Sequence, residues 1–317
     1  MATTDCLVTG GSGFIGQRLV AHLQRSGRFR RVVNLDIAAE PGQGHAVDVR
    51  RPITLVPGDH RFEVCIHLAA LAKEPGYDHH EYYAVNDEGT GHVLDLCGRL
   101  GISSVIFTST MMVFAAGEHR RSEVDAVDPD TAYGGSKALA EQRIRTWAAA
   151  DQQRRIRIVR PGVVFGPGDE GNFERLRRIL DRKVFFYVGG RQTVKSCVHL
   201  DDVVRHIEYL VDDTDPHDLV HCAIPEPTTI EEIVDGMFDA FGGRYRVPTV
   251  PFRAAHVAAR PFEWLARAGY DSGVHRRRIE KLHHSTNISA DRMAASCFEL
   301  HYPTVGEGVA AWAAEGA

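Results

Sequence analysis

The chain has 317 residues, which is too long for one small core and fits one large α/β unit or two closely joined domains. Its 44% hydrophobic and 25% charged residues are typical of a soluble protein, and a formal charge of -5 argues against a nucleic-acid-binding surface. No apolar run approaches the roughly 20 residues of a membrane span, and Met1–Asp5 lacks the basic start of a signal peptide. The scattered cysteines are typical of buried thiols in a reducing compartment. We therefore expect a cytoplasmic protein that binds neither nucleic acid nor a membrane.

Strands and helices alternate along the first half of the chain. Short apolar runs predict strands at 6–9, 32–36, 64–68, 105–108 and 156–159. Helical spacing of apolar residues predicts a helix that ends at Gly27, a second at 82–100 and a third at 133–150. Such alternation predicts an α/β protein with a Rossmann-type, doubly wound parallel sheet.

The pattern becomes irregular after Pro161, where loops rich in glycine and proline separate shorter elements. Short returns to the sheet are expected at 196–199 and 219–222. We therefore predict a Rossmann domain over residues 1–165. A smaller, mainly C-terminal α/β substrate domain is predicted over residues 166–317, interleaved with the first.

A glycine-rich loop joins the first strand to the first helix. The spacing Gly11-x-Gly13-x-x-Gly16 fits the dinucleotide fingerprint, in which bare backbone and a helix N-terminus meet the pyrophosphate. Asp36 ends the second strand, where a carboxylate binds the ribose hydroxyls and repels a 2′-phosphate. The sequence therefore predicts NAD rather than NADP as cofactor. The loop residues predicted to contact it are Gly10, Gly13, Phe14, Ile15 and Gly16.

Tyr133 and Lys137 lie four positions apart at the start of a predicted helix, so they share one helix face. A lysine ammonium beside a tyrosine hydroxyl stabilises the phenolate and makes it a usable base near neutral pH. Thr110 closes the predicted strand 107–110, at the edge where open α/β sheets bind their ligands. We predict Thr110, Tyr133 and Lys137 as catalytic residues that oxidise or reduce an alcohol beside the nicotinamide.

In order along the chain, these motifs resemble those of the extended short-chain dehydrogenases/reductases of the NAD-dependent epimerase/dehydratase family. The resemblance covers about residues 5–205 and includes the segments 8–16, 48–49, 67–70, 85–90, 133–137, 160–168 and 198–203. It implies further cofactor-binding residues, with Asn86 also bracing the sheet: Asp48, Val49, Leu68, Ala69, Ala70, Asn86, Thr108, Pro161 and Val163. It also implies a homodimer formed through the helices at 82–100 and 133–150.

The chain departs from the family's dehydratases directly after Thr110. Met111 and Met112 stand where those enzymes carry an Asp-Glu pair and where decarboxylating relatives carry a Glu. Elimination of water therefore lacks its acid and base, which leaves oxidation and reduction at one alcohol carbon. In an epimerase the hydride returns to the keto intermediate, whereas in a reductase or dehydrogenase the reduced cofactor leaves.

Three functions remain, and the first choice is a nucleotide-sugar epimerase acting at C4. The alternative is an NAD(P)-dependent keto-sugar reductase or a hydroxysteroid-type dehydrogenase. A non-catalytic NAD-sensing protein is disfavoured by the complete Tyr133–Lys137 pair.

The resemblance implies a small-molecule substrate, a nucleotide-diphosphate sugar. Lys195 stands where such enzymes usually carry a diphosphate-binding Arg, and Val163 stands where many carry an Asn. The predicted substrate-binding residues are Lys73, Thr110, Met111, Asn172, Lys195 and Arg278. The paired histidines lack the spacing of metal ligands, so no metal site is predicted.

Overall fold

The computed structural model describes residues 3–54, 58–212, 217–258, 280 and 282–316. Its strands are β1 (Asp5–Thr9), β2 (Arg31–Asp36), β3 (His45–Ala46), β4 (Phe62–His67), β5 (Ser104–Thr108), β6 (Gly117–Arg121), β7 (Arg155–Pro161), β8 (Val163–Phe165), β9 (Tyr187–Val188), β10 (Cys197–His199), β11 (Leu219–Cys222), β12 (Thr249–Val250) and β13 (Thr286–Ile288). Seven of them form a parallel sheet in the order β11-β7-β5-β4-β1-β2-β3. The strand order reverses between β1 and β4, and such a reversal opens a ligand-binding crevice at the carboxyl ends of the strands.

The helices that the structure describes surround this sheet and continue beyond it. They are α1 (Phe14–Ser26), α2 (His79–Tyr83), α3 (Gly89–Leu100), α4 (Ala132–Ala149), α5 (Asn172–Asp181), α6 (Leu200–Asp212), α7 (Ile230–Phe241), α8 (Phe252–Ala258), α9 (Asp291–Ala295) and α10 (Val305–Glu315). A π-helical turn, Ala84–Glu88, joins α2 to α3, and a 3₁₀ turn, Met111–Val113, follows β5. No helix in the described ranges is long and apolar enough to cross a membrane.

Side chains of the central strands alternate between two hydrophobic cores. Cys6 and Val8 of β1 face one core together with α1 and α6, whereas Leu7 faces the other with α3 and α4. Helices therefore cover both faces of the sheet, which is why its strands have continuous apolar sequences. This arrangement confirms the predicted Rossmann-type, doubly wound sheet.

A third core lies in the C-terminal part of the chain. Buried residues of α7 and α10, among them Ile233, Val309 and Trp312, pack there with Phe165 and Phe173. Because Phe165 ends β8, this core begins where the predicted Rossmann domain ends. The division at 165/166 stays a prediction.

The predicted helix at 82–100 is divided in the structure. Its first part is α2, and the π-helical turn Ala84–Glu88 separates α2 from α3. The wider turn holds the buried side chain of Asn86, which bonds to groups outside the helix. Turns of this kind are common at functional sites, and a regular apolar repeat does not reveal them.

Two expectations about strands were wrong. The segment at 196–199 does not return to the central sheet, because β10 pairs with β8 in a separate two-stranded sheet. The chain leaves the central sheet at Gly162, where a Cβ would lie 2.7 Å from the Ser196 carbonyl oxygen. The strand predicted at 107–110 ends at Thr108, and Thr110 instead caps the 3₁₀ turn. The expected return at 219–222 is confirmed as β11.

Candidate active site

The glycine loop after β1 packs too closely for side chains. Gly10 has a φ of 74°, and a Cβ there would lie 2.7 Å from the Leu68 carbonyl carbon. A Cβ at Gly16 would overlap the Gly10 carbonyl oxygen and lie 2.6 Å from the Gly11 Cα. The loop therefore packs closely against both the start of α1 and the segment after β4, as the dinucleotide fingerprint requires.

The N-terminus of α1 closes this loop. Gly13 is its N-cap residue, so no side chain occupies the space in front of the helix, and Phe14 and Ile15 form its first turn. The first N–H groups of a helix have no partner within it, and they carry the positive end of the helix dipole. The loop and the helix start thus form a cradle that fits the pyrophosphate of the predicted NAD.

Asp36 lies beside the same loop. Its carboxylate accepts the Ser12 N–H at 2.9 Å and the Ala38 N–H at 2.8 Å. Asn34, two residues earlier on β2, accepts the Gly11 N–H at 3.0 Å. The end of β2 therefore fixes the glycine loop and presents a half-buried carboxylate next to the cradle.

Replacing Asp36 with Asn should reduce the preference for NAD over NADP. The amide keeps an oxygen for one of the two backbone N–H groups but loses the charge that repels a 2′-phosphate. We expect the ratio of the two dissociation constants to fall about tenfold. Calorimetric titration with each cofactor measures it, and Glu40→Gln, an exposed neighbour, is the matched control. An unchanged ratio in Asp36→Asn would show that another group selects the cofactor.

The structure gives the other predicted cofactor residues different surroundings. Leu68 and Ala69 press against Gly10, and the Leu68 N–H donates to the Thr9 carbonyl at 3.0 Å. The Thr108 hydroxyl oxygen is buried and has no hydrogen-bond partner within the described ranges. An orphaned hydroxyl at the end of β5 fits a polar group of a bound dinucleotide. Asp48 is already engaged, because its carboxylate accepts from Arg50 at 2.7 Å.

Tyr133 and Thr110 are brought together by close packing of α4 on the 3₁₀ turn. Thr131 caps α4 by accepting the Gly134 N–H at 3.0 Å. A Cβ at Gly134 would overlap the Met112 carbonyl oxygen, so only glycine permits this approach. Both Thr110 and Tyr133 are buried, and their hydroxyls interact.

Burial shifts the pKa values of Tyr133 and Lys137 in the directions that favour their neutral forms. It raises the pKa of Tyr133 to about 12, and the interaction with the Thr110 hydroxyl opposes the rise. It lowers the pKa of Lys137 to about 7, and the nearby Glu141 carboxylate opposes the fall. The Lys137 ammonium lies 4.1 Å from the centre of the Phe107 ring, which is a cation–π distance.

Asn86 braces the site from the π-helical turn. Its amide oxygen accepts the Leu71 N–H at 2.8 Å, and its amide nitrogen donates to the Ser136 hydroxyl at 2.9 Å. Ser136 in turn donates to the Tyr133 carbonyl at 2.8 Å. Asn86 therefore links the segment after β4 to the start of α4. The predicted bracing position agrees with these bonds, whereas its contact with the cofactor stays a prediction.

The structure places the predicted substrate residues that it describes on several different segments. The carbonyl of the exposed Lys73 accepts from the Tyr82 hydroxyl, and the Tyr82 ring centre lies 6.3 Å from that of Tyr133. Met111 is buried on the 3₁₀ turn. Asn172 begins α5. Arg278 lies outside the described residues.

Lys195, which stays predicted as a diphosphate ligand, lies among groups of the protein itself. Its ammonium donates to the His284 carbonyl, and the Glu118 carboxylate faces it. Burial lowers its pKa to about 8, and Glu118 opposes this shift. Glu118 also accepts from Ser285, so Lys195 lies where β6 meets the segment before β13. The side chain is thus engaged in joining two segments.

No sequence pattern singled out Tyr82, Ser136 or Glu141. The four-residue spacing of Glu141 after Lys137 is a signal that points to a shared helix face. Ser136 sits between the two predicted catalytic residues of α4 without a distinctive pattern of its own. No group of three potential metal ligands occurs within the described part of the chain.

A family model matches the sequence over most of the chain. The model of the NAD dependent epimerase/dehydratase family matches residues 6–221. The chain is also 26% identical over 308 residues to the N-acetyl-alpha-D-glucosaminyl-diphospho-ditrans,octacis-undecaprenol 4-epimerase of Escherichia coli O157:H7, covering 96% of this chain and 93% of that protein. It is 26% identical over 271 residues to a 4-hydroxy-2-methyl-3-oxo-4-farnesyl-3,4-dihydroquinoline-1-oxide ketoreductase of Stigmatella aurantiaca, with coverages of 82% and 80%.

Solved structures share the fold at lower identity. MoeE5 in complex with UDP-glucuronic acid and NAD superposes with a TM-score of 0.70 at 22% identity, covering 98% of both chains. The UDP-glucuronic acid 4-epimerase from Bacillus cereus in complex with NAD gives a TM-score of 0.72 at 18% identity, again covering 98% of both chains. These similarities confirm the Rossmann-type fold.

Proposed function

Since the chain belongs to the NAD dependent epimerase/dehydratase family and is an NAD-dependent enzyme, we propose that it epimerises a nucleotide-diphosphate sugar at C4. The observation that carries the proposal is the buried set of Thr110, Tyr133 and Lys137, in a chain that also forms the glycine cradle. This group suits reversible removal of a hydride and a proton from one alcohol carbon. The similarity over nearly the whole chain to a sugar 4-epimerase supports the same reaction.

In the proposed mechanism, the Thr110 hydroxyl holds the substrate oxygen and Tyr133 removes its proton as the alcohol becomes a ketone. Lys137 stabilises the Tyr133 phenolate. The glycine cradle and Asp36 would hold NAD, which would supply a reversible hydride acceptor for the alcohol carbon and a positive charge that opposes the high pKa of Tyr133. Tyr133 then returns the proton, so no net oxidation occurs. Met111 and Met112 offer no acid or base for elimination.

We assign cofactor binding to residues 1–165 and substrate binding mainly to residues 166–317. The glycine cradle, Asp36 and the orphaned Thr108 hydroxyl support the first assignment. Pro161 and Val163, where the chain leaves the central sheet, would lie at the nicotinamide end. We also propose a homodimer through the helical segments 82–100 and 133–150; on the second of these, Leu139 is 42% exposed.

A test begins with the purified protein. We expect about one NAD per chain to be retained through purification and released by heat, because an epimerase regenerates its cofactor in place. Incubation with UDP-, GDP-, CDP- and dTDP-sugars, followed by NMR of the products, should then reveal one C4 epimer pair. A sugar joined through diphosphate to a polyprenol forms a separate arm, since the Escherichia coli relative's name specifies such a substrate.

A keto-group reductase is the second candidate, and the environment of Lys195 favours it. A lysine that bonds to the His284 carbonyl and faces Glu118 is poorly placed to bind a diphosphate. The ketoreductase of Stigmatella aurantiaca is a relative over most of the chain. An empty protein that consumes NADH with a ketone, and epimerises no sugar, would support this candidate and contradict the first.

A further inference from the structure

A buried ion pair lies one helical turn beyond Lys137. Glu141 of α4 and Arg160 of β7 are only 4% and 3% exposed. The Arg160 Nε and Nη2 atoms donate to the two carboxylate oxygens of Glu141 at 2.8 and 2.6 Å. This bidentate geometry fixes the carboxylate in both direction and distance. The reaction proposed above does not use either residue directly.

Ser109 adds a third bond to the same carboxylate. Its hydroxyl donates to Glu141 Oε1 at 2.5 Å. Ser109 lies between Thr108, whose hydroxyl is orphaned, and Thr110, which faces Tyr133. Glu141 therefore ties α4 to the ends of β5 and β7, the three elements that carry the candidate active-site residues.

Stability alone does not explain this arrangement. Removing two charges from water is costly, and well-packed apolar side chains of similar volume are often at least as stabilising as a buried ion pair. A charge retained at such a place is better explained by an effect on a neighbouring group. The neighbour on the same helix face is Lys137, four residues earlier.

Few charged groups face Lys137. From α4 these are Tyr133, whose neutral form is favoured by burial, and Glu141. From β4 it is His67, whose ring nitrogens bond to the hydroxyls of Thr9 and Thr90 at 2.6 and 2.9 Å. Burial, helped by the charge of Lys137, lowers the pKa of His67 to about 3, so its ring is neutral at pH 7. Within the described residues, Glu141 is thus the anion that acts on Lys137.

We propose that Glu141, held by Arg160 and Ser109, is a positioning residue that keeps Lys137 charged and aligned below Tyr133. Its carboxylate offsets the burial of the ammonium, so that the lysine can stabilise the phenolate at physiological pH. The inference rests on the proposed catalytic role of Lys137, but it applies equally to an epimerase and to a reductase.

The protonation of Lys137 can be measured without turnover. The chain has five lysines, Lys73, Lys137, Lys183, Lys195 and Lys281, so selective ¹³Cε labelling gives few NMR signals. The full chain, saturated with NAD, is titrated with pH as wild type and as Glu141→Gln, and Lys137→Met assigns the signal. We expect Glu141→Gln to weaken proton binding by Lys137 about tenfold, with the other lysines unchanged.

The controls separate this effect from general damage. Asp87→Asn removes another carboxylate that pairs with α4, through Arg143 at 2.8 Å, and should leave the titration of Lys137 unchanged. Because Glu141→Gln leaves Arg160 buried without its partner, it can fail to fold. The double variant Glu141→Met with Arg160→Met removes both charges and should weaken proton binding by Lys137 in the same direction.

An unchanged Lys137 titration in either folded variant would overturn the inference and leave the proposed function standing. If the Lys137 titration changed as expected in a protein that epimerises no sugar, the inference would stand and the proposed epimerase function would be contradicted.

Discussion

Tyr133→Phe is expected to reduce turnover about 10³-fold while leaving the retained NAD unchanged. The substitution removes the hydroxyl that interacts with Thr110 and that exchanges the proton in the proposed mechanism. It preserves the ring, which packs in a buried position near Tyr82. Product NMR measures the turnover, and absorbance of the heat-released cofactor measures the retained NAD.

Tyr83→Phe is the matched control for this variant. Tyr83 is half-buried at the end of α2, and its hydroxyl approaches Gly135, two residues after Tyr133. We expect this variant to turn over at nearly the wild-type rate. Comparable activity in Tyr133→Phe and Tyr83→Phe would show that the proton is transferred by another group.

Gly16→Ala is expected to weaken NAD binding about 100-fold, which corresponds to close to 3 kcal/mol. A Cβ at Gly16 would overlap the Gly10 carbonyl oxygen and approach the Gly11 Cα, and both are backbone atoms of the cradle. Backbone cannot rotate away as a side chain end can, so the loop must open to admit one methyl group. Titration calorimetry measures the affinity, and thermal unfolding reports the accompanying loss of stability.

Gly98→Ala provides the control for this change. Gly98 lies exposed in α3, and no atom would come within 4 Å of a Cβ there. Alanine at this helical position should be neutral or should stabilise the protein by up to about 1 kcal/mol. If Gly16→Ala bound NAD as tightly as Gly98→Ala, the cradle would not be the pyrophosphate site.

Local patterns were sufficient to predict the framework of the fold. Buried parallel strands are continuous apolar runs, and the glycine spacing before α1 follows from turn and helix-start geometry. The i,i+4 spacing of Tyr133 and Lys137 places them on one face of α4 and does not depend on any tertiary contact. These features depend on residues that are close together in the sequence, so local sequence patterns are enough to predict them.

Features that depend on distant partners were not predictable in this way. The pairing of β10 with β8 is set by the approach of Ser196 to Gly162, and the carboxylate of Glu141 is held by residues 19 and 32 positions away. The hydrogen bond from Lys195 to the His284 carbonyl was not predictable either, because the two residues lie 89 positions apart in the chain. A single sequence does not indicate which of its many polar residues meet across such separations.

The contact between Gly134 and the Met112 carbonyl has a consequence for how new specificities arise in this scaffold. With no space between α4 and the 3₁₀ turn, Tyr133 and Thr110 form one rigid unit that cannot shift to suit a larger substrate. Under the proposed function, adaptation to other substrates must therefore come from walls that α4 does not form, and the proposed substrate-binding region 166–317 would supply them. Changes there would leave the arrangement of Thr110 and Tyr133 constant, so that the one proposed chemistry could serve many alcohols.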